Sequence, residues 1–419
     1  MRIYSSNLIP SQETRLSVTW TVNPNAEDKT VRPADLTYGT GYWGSLQAAL
    51  LEAAKYPLTK IDIVINEGVL EEDITVGQAN LSHVTLRGIN TFEPPPETTR
   101  AQLIAGGKSV IKGNFNLFEC NLPKIQDLLF NSDNKEVTLS RCTSDHSQNL
   151  IVYSDFDGDT VVDKFALNIR GSFINVYRLM IFAKKGLKVF DNAILNVSSV
   201  IKIDCTPEIV PETYDSDVAL LVETGSSMGS VAVEKIINSG SIVVRESSSL
   251  IMNSRGNLFI NNSAITGNSE GIRVETNSAF SSLDGVRIRI IDTTVPTIVS
   301  TSSRLRTIDL RVETLKDIEI DKAVQVLSNS SLEITGILQL ASKLPNVAFY
   351  LDRSTAEIKL GLGTRRIETD GEIIIEAVNG SILAIKDELE VREFSPTIEV
   401  IYKPAIDTID NNNNHIISL

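Results

Sequence analysis

VETGSSM (Val222–Met228), VRESSSL (Val244–Leu250), VETNSAF (Val274–Phe280), VSTSSRL (Val299–Leu305) and VLSNSSL (Val326–Leu332) repeat one pattern, apolar-x-x-x-small-x-apolar, with YLDRSTA (Tyr350–Ala356) as a looser sixth copy. Successive copies begin about 22 to 30 residues apart. A period in that range, with β-branched strands and Ser/Asn/Gly corners, is the signature of a parallel β-solenoid, because each coil buries its apolar face only by stacking on the next. With coils stacked at roughly 4.8 Å, the first column (Val222, Val244, Val274, Val299, Val326, Tyr350) and the seventh (Met228, Leu250, Phe280, Leu305, Leu332, Ala356) become apolar stacks inside the coil. The fifth column is serine in every copy: Ser226, Ser248, Ser278, Ser303, Ser330 and Ser354. A small residue there lets the backbone turn a tight corner, and its hydroxyl reaches backbone groups that the turn leaves unpaired. EAVNGSI from Glu376 suggests a seventh coil in which the first column fails and the stack ends.

Composition agrees. Solenoids grow in one dimension, so 419 residues do not require several domains. No apolar run is long enough to cross a membrane. Cys120, Cys142 and Cys205 are too scattered for a disulfide framework or a zinc site and read as reduced core thiols. A net charge of −14 argues against nucleic acid and against anionic membrane surfaces as partners. The start, MRIYSSNLIPSQETR, lacks the apolar stretch of a secretory signal, which sets the expectation of synthesis in a cytosol.

The chain divides into four zones. Residues 1–44 are polar and irregular, with Pro10, Pro24 and Pro33, and hold both tryptophans, Trp20 and Trp43. Residues 45–90 begin with a predicted helix, Leu46 to Lys55, N-capped by Ser45, followed by a strand with Ile61, Ile63 and Ile65 on one face that Gly68 stops. Residues 91–399 carry the coils, and 400–419 form a C-terminal cap or tail with the run Asn411–Asn414. Two proline-bearing segments, Thr91–Arg100 and Thr206–Asp217, read as loops leaving the coil.

The order SLQAALLEAA, IDIVINEGVLEEDITV, HVTLRG resembles the opening of the pectate-lyase-like right-handed β-helix superfamily, in which a helix caps the open coil before a strand, a G-x-x-x-E turn and the first rungs. The resemblance implies an all-β fold: a right-handed parallel β-helix with an N-terminal capping α-helix and an irregular N-terminal arm. It leaves function open, since the superfamily includes pectin-degrading enzymes, secreted adhesins and bacteriophage tailspikes and fibres. The missing signal, the arm and the acidic Ser/Thr/Asn-rich rungs tilt the expectation toward a structural tailspike or tail-fibre component in the virion. The resemblance further implies a homotrimer and tail or baseplate proteins as partners, with a host polysaccharide as a further ligand. The arm would attach to the particle, with Trp20 and Trp43 as docking anchors.

Two constellations carry chemistry. DFDGDTVVD places Asp155, Asp157, Asp159 and Asp163 in a D-x-D-G-D-x-x-x-D array that resembles the calcium loops of thrombospondin type 3 and integrin-type propeller repeats, so Ca2+ is the one cofactor the sequence suggests. The bland alternative is a solvated acidic turn. The second column holds Glu223, Arg245 and Glu275; its two glutamates, with the cation between them, are the candidate pair for glycoside hydrolysis, and the column is equally a surface charge ladder. No segment matches the lyases' catalytic motifs. The enzyme reading, a polysaccharide hydrolase or lyase, is therefore the alternative, and a bacterial surface adhesin the second. The histidines, His83, His146 and His415, are far apart and read as one core or turn position and two surface positions. Tyr153, Tyr177 and Tyr214 are candidate sugar-facing rings, though packing explains each as well.

Overall fold

The computed structural model describes residues 17–132, 135–154, 164–253, 256–283, 286–313, 320–342 and 345–358, and beyond these the segments 366–369, 373–385, 389–392, 399–402, 408–409 and 415–418. The chain forms a right-handed parallel β-helix. A coil runs through three strands, as in Asp217–Val222, Ser227–Ser230 and Glu234–Asn238, before Gly240–Val244 starts the next. The first face is a twelve-stranded parallel sheet from Ile74–Gly77 to Ile373–Val378. Along it, Val76, Leu117, Leu139, Ile169, Val189, Val222, Val244, Val274, Val299, Val326, Leu351 and Ala377 pair in sequence, so the first column extends far upstream of the repeat.

Two register expectations are corrected here. Leu351, not Tyr350, occupies the first column, and Ala377, not Glu376, continues it, so the stack does not end there. The cause lies in the corner. Most later corners hold two consecutive left-handed residues, such as Thr276 (φ 57°) and Asn277 (φ 58°) or Ser328 (φ 54°) and Asn329 (φ 61°). The corner before Ser354 has one, Arg353 (φ 47°), so it is one residue shorter. The early corners at Gln78, Glu119, Arg141 and Gly171 also carry a single left-handed residue, which turns the repeat into apolar-x-x-small-x.

With those corners aligned, the small column runs Ala79, Cys120, Cys142, Ser172, Ala193 and then serine from Ser226 to Ser381. The serines form a ladder. The amides of Ser226, Ser248, Ser278 and Ser303 each donate to the Oγ of the next serine along the stack at 3.1 Å. Ser172 accepts likewise from the Cys142 amide (2.9 Å) and Ser381 from Ser354 (3.3 Å). Ser278 and Ser303 are each 2% exposed, so these amides have no water to bond instead. All three cysteines are free and buried, and burial pushes the Cys205 thiol well up.

At the N-terminal end, α1 (Leu46–Ala53) closes the coil with Leu46, Ala49, Leu50 and Ala53 buried. Ser45 is its N-cap and accepts from the Ala48 amide at 3.1 Å. Glu72, the acid of the G-x-x-x-E turn, accepts from the Ser45 hydroxyl (2.5 Å) and from the amides of Leu46 (2.8 Å) and Gln47 (3.3 Å). A carboxylate there satisfies the orphan donors and complements the positive end of the helix, which explains why the turn needs an acid. Gly68, with φ +133°, opens the next strand, Gly68–Glu71, instead of merely stopping the last.

The arm is not separate from the solenoid. Ser17–Val22 pairs in parallel with Lys60–Ile65 and begins a four-stranded sheet continued by Val84–Gly88 and Lys124–Gln126. Trp20 and Trp43 are 1% and 2% exposed, their rings 5.2 Å apart, and Trp20 Nε1 donates to the Leu36 carbonyl at 3.0 Å. Both are therefore core residues of the cap, which corrects their assignment as docking anchors.

The proline-bearing loops also differ from expectation. The first folds back on the coil: α2 (Arg100–Gly106), opened by a Thr99/Gln102 capping box, covers a second apolar cluster of Phe92, Leu103, Leu129, Ile151, Met180 and Phe182 outside the coil. Lys202 Nζ donates to the Thr98 carbonyl (2.8 Å), and Arg100 to the Ser154 carbonyl (2.6 Å). The second loop joins the long insertion between Val244 and Val274, through Tyr214 N to Thr266 Oγ1 (2.8 Å) and Asn268 N to Asp215 (2.6 Å).

One interior position breaks the apolar rule. Lys235 is fully buried, stacked between Ile201 and Leu258, and its ammonium donates to the Ala232 carbonyl. Desolvation holds its pKa below the ordinary 10.5. Between that lowered value and 10.5 the unfolded chain binds more protons at this site, so wild-type stability gains from Lys235 as pH rises. Lys235→Met is expected to stabilise the fold at pH 7 by about 1–3 kcal/mol. Denaturant titrations across pH 7 to 10 should show the gap between variant and wild type narrowing as pH rises; a gap independent of pH would mean that charge burial is not its cause.

Candidate functional site

The first face carries a cleft of about 550 Å³ on its outer side, floored by Phe165, Val218, Leu221 and Val243 and rimmed by charged side chains. Because Val222, Val244 and Val274 pair directly, Glu223, Arg245 and Glu275 do lie on adjacent rungs, despite the 30-residue interval. Two steps of about 4.8 Å put the two glutamates about 9.6 Å apart along the stack.

The charges are already committed. Glu223, 6% exposed, is gripped by Lys188 and Arg245, each at 2.6 Å. Burial alone would raise its pKa, but the hydrogen bonds and charge of Lys188 and Arg245 outweigh this and hold the carboxyl below its ordinary range. A general acid needs the opposite shift. Glu275 is met by Arg273 at 3.9 Å, and Arg273 also pairs with Glu270. Lys164 holds Glu136 at 2.9 Å. The geometry is a charge ladder in which Glu136, Glu223, Glu270 and Glu275 each face a cation.

Lys188, Lys164 and Arg273 were not legible as members of this site. Lys188 reaches Glu223 diagonally from the preceding strand, where Val189 is level with Val222. Reading down one column cannot find such a contact.

The calcium expectation on Asp155, Asp157, Asp159 and Asp163 lies outside the described residues. Tyr153 and Tyr214 are buried (7% and 8% exposed), with Tyr214 Oη donating to the Cys205 carbonyl, so neither offers a ring to a ligand. Tyr177 is exposed, and its ring is 6.0 Å from the Arg178 guanidinium. His83 and His146, distant in sequence, come to one groove on the four-stranded sheet. Among the described residues no helix is long and apolar enough to cross a membrane.

Comparisons with protein-family models, with curated proteins and with solved structures returned no match.

Proposed function

We propose that the chain is a structural tailspike or tail-fibre component of a bacteriophage, a homotrimeric shaft that presents its surface to host polysaccharide. The observation that carries this reading over the enzymatic one is the charge ladder, in which Glu223 is clamped by two cations and held ionised. Support also comes from the continuous core. Twelve stacked strands span about 53 Å at 4.8 Å per step, and interior columns with a serine ladder make a rod that resists bending. Attachment then falls to residues before Ser17 or to other surfaces of the cap, since Trp20 and Trp43 are internal.

Mass spectrometry of purified particles tests the assignment: the protein is expected in the virion at a copy number divisible by three. Its absence from particles would remove the tail-protein reading. A reducing-sugar assay on host capsule, together with an unsaturation readout for lyase products, is expected to show no turnover. Turnover abolished by Glu223→Gln would instead establish the depolymerase.

A further inference from the structure

The groove that gathers His83 and His146 lies on the outer face of the four-stranded sheet, encloses about 490 Å³ and is separate from the ladder cleft. Its central charges cancel. Arg87 holds Asp62 with three hydrogen bonds of 2.9 to 3.0 Å, a fixed bidentate pair. What remains is cationic: Lys60 and Lys124 line the same groove, and neither forms an ion pair among the described residues. Two uncompensated ammonium groups around one groove are unexpected on a chain of net charge −14.

The histidines add directional chemistry. His83 Nε2 lies 3.0 Å from the Ala53 carbonyl, and His146 Nε2 lies 3.0 Å from the Ser82 carbonyl. A carbonyl only accepts, so in each ring Nε2 is the donor. The Nδ1 of His83 is buried and no protein group reaches it. The His146 side chain, by contrast, is exposed in the groove. Ser82 and Thr85, also lining the groove, provide further hydroxyls.

We propose that this groove binds a small hydroxylated oxyanion, its carboxylate or phosphate between Lys60 and Lys124 and a ligand hydroxyl hydrogen-bonded to the exposed His146 ring. The inference stands independently of the tail-protein reading. The ligand chemistry is shared by acidic sugars and polyol phosphates.

The chain has three histidines, so ring-labelled protein reports each imidazole separately, with His415→Gln identifying the signal outside the groove. Titration with glucuronate and with glycerol phosphate, against glucose as the neutral control, is expected to shift the His83 and His146 signals saturably and leave His415 unmoved. The charged ligand that binds more tightly assigns the carboxylate or the phosphate source. In the double variant Lys60→Gln/Lys124→Gln, two exposed substitutions that leave the core intact, the affinity should fall about tenfold. Glucose acting as strongly as the charged ligands, unchanged affinity in the double variant, or no movement of either groove signal would overturn the proposal.

Discussion

Ser303→Leu is expected to be among the most damaging single substitutions in the chain. Ser303 is 2% exposed at an internal corner, with apolar interior columns on either side of it in sequence. A leucine there must displace packed neighbours, which costs about 1–3 kcal/mol. It also removes the hydroxyl that accepts from the Ser278 amide at 3.1 Å, leaving that buried donor unpaired at about a further 1–3 kcal/mol. Ser303→Ala separates the two effects, because it deletes the acceptor without adding bulk. Ser249→Leu, at a half-buried outward position one residue past the ladder, serves as the control and should change little. Denaturant midpoints check the ordering, with Ser303→Leu far below Ser303→Ala and Ser249→Leu close to wild type. Equal midpoints for the two leucine substitutions would mean that the corner has room, contrary to its packing.

The ladder also shows what the sequence could and could not disclose. The coils from Val222 to Val326 were legible because their corners share one length, so the apolar and serine columns keep fixed offsets. Upstream of Asp191 the corner loses one left-handed residue, and the small position is filled by Ala79, Cys120, Cys142 or Ser172. Both changes hide the repeat from a search tuned to the later coils, although the interior columns continue unbroken. The same one-residue change misplaced Tyr350. It also recasts Cys120 and Cys142: small, weakly polar side chains at a buried corner, with Cys142 Sγ 3.2 Å from the Leu117 carbonyl, play the part that serine plays further on.

Site chemistry was less legible for a geometric reason. Stacking brings together residues one coil apart in the same column, which is how Glu223 and Arg245 were found. It also brings together diagonal neighbours such as Lys188, and residues from irregular stretches such as His146, whose placement depends on loops of variable length. Loops hid the external cluster too. Phe92 and Leu103 are apolar residues in a proline-rich insertion, and only the folded chain shows that they cover Met180 and Phe182 on the outside of the coil.

Trp20→Ala is expected to unseat the whole N-terminal cap. Trp20 lies between Trp43 and Tyr56, with ring centroids at 5.2 and 6.5 Å, and its strand shields Ile61, Ile63 and Ile65 through pairing with Lys60–Ile65. Removing a buried tryptophan costs about 3–5 kcal/mol, and here the lost Nε1 bond to Leu36 adds to it. A solenoid without its cap leaves the end of the core open, so the loss should spread into the first coils before the rest. Removing residues 1–16 alone spares the strand, whereas removing residues 1–44 should yield a protein that melts well below that shorter truncation and is aggregated or cleaved early by protease near α1. The contrast between the two truncations is the deciding measurement. A 45–419 chain that melts like the full protein would show that Ser17–Trp43 is accessory, and would return the two tryptophans to the role of detachable anchors.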